Sequence, residues 1–169
     1  MLAYVMSLIL VIVSLFNLWW GFGTGLHADM LHLPAMYRDA AAGQLHWFFY
    51  NLPPSRFIFP DIPLYFILHT LIGNGIAALI ANVWFNYLLL AALLILNARL
   101  WFRIPVHTSL FPVIFSLSLL TLPNIFSWGI VVGLFWPTGH AGAVQVTLCV
   151  LALLALYKNT PTPRHTFYL

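Results

Sequence analysis

Residues 62–102 carry a single formal charge, Arg99, and an apolar run of that length with one charge is the strongest constraint on what this chain can fold into. One membrane crossing needs about 20 apolar residues, so the run holds either two helices or one crossing with an interfacial extension. The rest of the chain follows suit: 63% of residues are apolar and 5% charged, with a mean hydropathy of +0.98. A water-soluble domain carries about 25% charged residues, and only a surface facing lipid tolerates so few. The fold class that follows is all-α, a polytopic membrane helical bundle forming one membrane domain. Six basic residues against three acidic ones are too few and too scattered for a nucleic-acid surface, and they are read as topology signals. The lone cysteine, Cys149, has no partner for an intramolecular disulfide and reads as a packing residue.

The placement of charge sets the spans. Residues 1–21 form an apolar segment with no Lys or Arg that ends in Trp19-Trp20, an interfacial anchor. A secretory signal would need a basic start and a shorter apolar core, so this segment reads as a first crossing. Residues 22–61 then hold all three aspartates, Asp29, Asp39 and Asp61, with Arg38, Arg56, three histidines and four of the eleven prolines. This is a long polar outer loop. Pro34 suits the first turn of a short helix ending near Gly43, residues 47–50 read as an aromatic surface segment, and Pro53-Pro54 breaks any helix.

Two crossings within residues 62–102 would put Arg99 and Arg103 on the side of the acidic loop. An interfacial helix over residues 62–72, a break at Gly73-Asn74-Gly75 and one crossing put them opposite, as the bias of basic residues toward the cytoplasm requires. The expected crossings are therefore residues 1–21, 76–98, 105–122 and 141–157, with residues 125–136 either part of another span or, the reading favoured by their short length, re-entrant or interfacial. Arg99, Arg103, Lys158 and Arg164 then face the cytoplasm, along with both termini, which suits an inner membrane of bacterial type.

Acids near a membrane are the first functional candidates in so apolar a chain. Asp29, shortly after the first crossing, is either a working carboxylate or a helix N-cap or partner for Arg38. His27, Asp29 and His32 have the chemistry to hold a divalent metal, although their spacing is not diagnostic, and histidines at an interface more commonly serve as hydrogen-bonding amphipaths. A haem would need facing histidines inside the bundle, whereas His107 and His140 fall at opposite ends. No phosphate-binding Gly-x-x-x-x-Gly-Lys loop, Cys-x-x-Cys pair or Gly-x-Ser-x-Gly turn occurs.

The order of these features resembles the N-terminal part of the GT-C superfamily of polyprenyl-phosphate-dependent glycosyltransferases. The residues that carry the resemblance are Asp29; Met36-Tyr37-Arg38-Asp39-Ala40 with Gly43; residues 59–66 with Pro60-Asp61-Ile62-Pro63 at their centre; Gly73-Asn74; Asn97-Ala98-Arg99; and His140-Ala141-Gly142. Asp29-Met30 stands where the family often has an Asp-Glu pair, leaving one carboxylate at that position. The resemblance implies transfer of a sugar from a polyprenyl phosphate at the outer face, with Asp29 as the base on the acceptor hydroxyl. It also implies substrate binding by Arg38, Arg56, Asp61 and His140, an arginine suiting the lipid phosphate. Both arginines would serve equally to neutralise Asp39 or Asp61. Family members are longer, with more spans, so the chain would act as a fragment, a split subunit or a small binding relative. The partners then expected are membrane lipid, a polyprenyl-phosphate sugar and a further membrane subunit. A reading of a different class is a noncatalytic membrane subunit that docks a partner or lipid through its outer loop.

Overall fold

The computed structural model describes residues 2–24, 31–44, 61–121 and 141–159, and among these every regular element is a helix. In chain order they are α1 (Leu2–Thr24), α2 (His32–Ala41), α3 (Asp61–Ile72), α4 (Gly75–Phe102), α5 (Val106–Thr121) and α6 (Ala141–Asn159). Three of them are long and apolar enough to cross a membrane, over Leu2–Trp20, Gly75–Phe102 and Gly142–Asn159. The chain is thus compatible with an integral membrane protein. The 16 residues of α5 and the 12 of α3 are shorter than a typical crossing. The expected segments at residues 47–50 and 125–136 lie outside the described residues.

Local sequence explains where the helices stop. Pro34 is the third residue of α2, where its missing N–H costs no intrahelical bond. The same helix ends in a Schellman turn: Gly43 takes φ +69°, its N–H donates to the Ala40 carbonyl at 3.0 Å, and the Gln44 N–H donates to the Asp39 carbonyl at 2.8 Å. Gly73, at φ +72°, ends α3 in similar fashion, its N–H donating to the His69 carbonyl at 2.8 Å. The next residue starts α4. Asn74 Oδ1 accepts from the N–H groups of Ile76 and Ala77, both at 3.0 Å, and so satisfies two donors that the first turn leaves free. Asn74→Ala should therefore lower stability by about 1 kcal/mol while Asn74→Asp keeps the cap. Unfolding both variants in detergent checks this, and equal stability of the two would show that the cap contributes nothing.

Helix directions follow from paired contacts. Ser14 Oγ donates to Ser118 Oγ at 2.8 Å and Asn17 Nδ2 to Thr121 Oγ1 at 3.4 Å, both across 104 residues, so α1 and α5 run parallel. Between α4 and α6, Gln145 meets Asn86 and Asn159 meets Leu100, both across 59 residues, so this pair also runs parallel. The three-residue link 103–105 reverses the chain between α4 and α5, setting the first pair against the second.

One apolar cluster sits where α1, α4 and α5 meet, built on Leu18, Val83, Tyr87, Leu90, Ile114 and Leu117. A second binds α2 and α3 to the start of α4 through Leu33, Met36, Ile62, Tyr65, Ala78 and Leu79. The two buried side chains of α2, Leu33 and Met36, contribute about 1.5–3 kcal/mol each if fully transferred from water. Long apolar faces remain uncovered, with Leu153 65% and Phe102 75% exposed, as a lipid-facing surface would be.

The helix expected over residues 62–72 is present as α3, one residue longer. It packs antiparallel to α4: Asp61 lies against Asn82 and Asn86, and Tyr65 Oη reaches the Gly75 carbonyl at 3.5 Å. The Gly73-Asn74 break is the tip of a helical hairpin, in which Ile62 and Tyr65 of α3 pack with Ala78 and Leu79 of α4.

Candidate functional site

The first residue of α3 leads into the most polar point of the interior. Asp61 is fully buried, as are Asn82 and Asn86, and Gln145 is 2% exposed. Asn82 and Asn86 stand one turn apart on the same face of α4, where residues four apart are neighbours. Asn86 Nδ2 donates to Asp61 Oδ1 at 2.7 Å and to Asn82 Oδ1 at 2.8 Å. The ring closes through Asn82 Nδ2, which donates to the Asp61 main-chain carbonyl at 3.1 Å. From α6, Gln145 Nε2 donates to the Asn86 main-chain carbonyl at 3.1 Å and to Asn86 Oδ1 at 3.2 Å. Three helices are thus joined at one point by side chains that the surrounding apolar surface would otherwise reject.

The network is incomplete. Asp61 Oδ2 and Gln145 Oε1 are buried without a hydrogen-bond partner. Burial pushes the Asp61 carboxyl from its ordinary 3.8 up to about 7, against the opposing pull of the hydrogen bond from Asn86. Near neutral pH both protonation states of this carboxyl are therefore populated, and in its neutral form it donates a hydrogen bond instead of only accepting.

Beside this cluster the α2–α3 contact is aromatic. Tyr37 stacks on His69 with ring centroids 3.9 Å apart and meets Phe66 edge-on at 5.2 Å, while its hydroxyl lies 3.3 Å from Thr70 Oγ1. His69 Nδ1 is buried without a partner. A second polar seam, Ser14, Ser118 and Tyr87 with Asn17 and Thr121, lies between α1, α4 and α5 and serves the packing of those helices.

The residues singled out from sequence divide into two groups. Asp29, His27, Arg56 and His140 lie outside the described residues. Asp61, Arg38 and His32 lie within them. Asp61 heads α3, and its side chain joins Asn86 of α4. Arg38 is 80% exposed, with Nε 3.6 Å from Asp39 Oδ1, an arrangement worth little energetically at a surface. His32 opens α2, and among the described residues no group of three His, Cys, Asp or Glu side chains converges as a metal site.

Asn82, Asn86 and Gln145 are the site residues that sequence reasoning did not single out. Their signal was present: each is a polar side chain inside an apolar run, where its cost in lipid demands a protein partner, and Asn82 and Asn86 have the spacing of one helix face. No known family, curated protein or solved structure matches the chain.

Proposed function

We propose that the chain is a four-crossing integral membrane module of GT-C glycosyltransferase type, with both termini cytoplasmic, and that it is incomplete alone. The single observation that carries the topology is the separation of charge along the bundle. Lys158 Nζ lies 5.9 Å above the Trp101 ring and Asn159 meets Leu100, so the basic ends of α4 and α6 converge near Arg99 and Arg103. Asp39 belongs to α2, whose Tyr37 packs on His69 and Thr70 beside the Gly73-Asn74 tip at the other end. Basic residues mark the cytoplasmic side, which puts the acidic layer outside. The fourth crossing is α5: although only 16 residues long, it runs beside α1 and reaches Asn17 at its far end.

In this reading the outer layer receives a polyprenyl-phosphate sugar. Asp29 takes the proton from the acceptor hydroxyl, and Arg38 or Arg56 meets the phosphate. The support for the transferase assignment is the resemblance in sequence. A divalent metal at His27, Asp29 and His32 belongs to the same reading.

A second reading, a noncatalytic subunit, draws on an apolar groove of about 330 Å³ between α1 and α4, lined by Ile12, Leu15, Phe16, Trp19 and Trp84. Its shape and chemistry suit an acyl chain or a partner helix. Copurification from native membranes separates the two. The transferase reading predicts a polyprenyl phosphate together with a further membrane subunit, and no sugar transfer by the purified chain alone. Recovery of a protein partner with no such lipid supports the subunit reading, and robust transfer by the 169-residue chain would overturn the claim that it is incomplete.

A further inference from the structure

We infer that the Asp61, Asn82, Asn86 and Gln145 cluster is a proton-binding site, in which one proton on Asp61 Oδ2 holds α3, α4 and α6 together. This goes beyond the transferase reading and does not depend on it.

An ionised carboxylate without a counter-charge is among the costliest groups to bury. Among the described residues no cation bonds to Asp61. On α3 its titratable neighbours are Tyr65 and His69, one and two turns on. On α4 the facing groups are the amides of Asn82 and Asn86, with Tyr87 turned toward Ser118. From α6 comes the uncharged Gln145, the single cation of that helix, Lys158, being at its opposite end. The α2 helix, packed on α3, carries His32, Tyr37, Arg38 and Asp39, and Arg38 is exposed and paired with Asp39.

Among the described residues, then, nothing supplies the positive charge, which points to a bound species. A divalent ion would leave one charge in excess over a single carboxylate. Metal ions of the hard class also gather about six or more oxygens. Here Asp61 Oδ1, Asn82 Oδ1, Asn86 Oδ1 and the Asp61 carbonyl already accept hydrogen bonds, and only Asp61 Oδ2 and Gln145 Oε1 stand unpartnered. A proton needs one oxygen. It neutralises the carboxyl and turns Oδ2 into a donor, which is what the unpartnered Gln145 Oε1 lacks. When the proton leaves to water, the charged carboxylate draws α3 toward solvent and loosens its junction with α4 and α6.

The sign of the pH effect is fixed. The folded chain holds the Asp61 proton up to about pH 7, whereas the unfolded chain releases it near pH 4. Stability contributed by this group is therefore full below about pH 4, falls as pH rises, and levels off above about pH 7. The test uses the full chain in lipid nanodiscs with carbon-13-labelled aspartate, of which the sequence has three and no glutamate accompanies them. Infrared spectra at about pH 6 should show a protonated carboxyl that disappears by about pH 8 and is absent from Asp61→Asn. The melting temperature of the wild type should fall from about pH 5 to about pH 7 and then level off, a fall that Asp61→Asn lacks. If Asp61→Asn does not fold, the same band must persist in an Asp29→Asn/Asp39→Asn double variant. An Asp61 carboxyl fully ionised at pH 6 would overturn the proposal. So would a wild-type melting temperature raised by sodium over choline when that of Asp61→Asn is not.

Discussion

Asn86→Ala should destabilise the folded chain by roughly 2–4 kcal/mol, the largest loss expected of any single substitution outside the apolar clusters. One hydrogen bond between membrane helices averages only about 0.6 kcal/mol, so a pairwise view predicts a small effect. Asn86 is not a pairwise case. Its side chain donates to both Asp61 and Asn82 and accepts from Gln145, joining three helices. Truncation leaves the Asp61 carboxyl with no partner and Asn82 Oδ1 unsatisfied, and adds a cavity where the amide stood. Ser7→Ala is the control: Ser7 Oγ donates only to the Ala3 carbonyl one turn back, at 2.8 Å, so its removal should change stability by less than about 0.5 kcal/mol. Unfolding in mixed micelles measures both. Equal losses would remove the cluster from its place as the junction of α3, α4 and α6.

The second large effect concerns the outer loop. In a complete, active assembly, Asp29→Asn should reduce turnover by about 10²–10⁴-fold while leaving binding of the lipid donor intact, since the amide keeps the shape of the side chain but cannot take a proton. Asp39→Asn should cost far less. Asp39 already has the Arg38 guanidinium beside its carboxylate, with Nε 3.6 Å away. Asp61 is fully buried and occupied by Asn86, which leaves Asp29 as the aspartate assigned to the acceptor. Wild-type turnover by Asp29→Asn would remove that assignment, and with it the main chemical content of the transferase reading.

Much of the helical layout was legible because helices in lipid are delimited by a few local devices. Pro34 and Gly43 bracket α2, Gly73-Asn74 divides α3 from α4, and Arg103 followed by Ile104-Pro105 closes α4, each for a reason confined to its own turn. What was not legible depends on contacts between distant residues. An apolar run shows that Asn82, Asn86 and Gln145 are costly in lipid but not which of them face one another, and the Asn86–Gln145 contact spans 59 positions. Asp61 illustrates the same limit. Flanked by Pro60 and Pro63, it has the local chemistry of a cap, and only the antiparallel docking of α3 on α4 turns it inward. The packing of α3 on α4 was not legible for a related reason: the sequence supplies a break at Gly73-Asn74 but not the angle at which the chain returns, which Tyr65, Ala78 and Leu79 determine by packing.

The central claim is that the acidic α2–α3 layer and the basic ends of α4 and α6 lie on opposite sides of a membrane. Single-cysteine labelling tests it most directly, in a Cys149→Ser background because that thiol is exposed. Gln44→Cys reports the end of α2 and avoids the positive φ of Gly43, and Asn159→Cys reports the end of α6. In intact cells stripped of their outer wall, a membrane-impermeant maleimide should label position 44 at once and position 159 only after the membrane is opened. Labelling of both positions from the same side, or of position 159 alone from outside, would contradict the account.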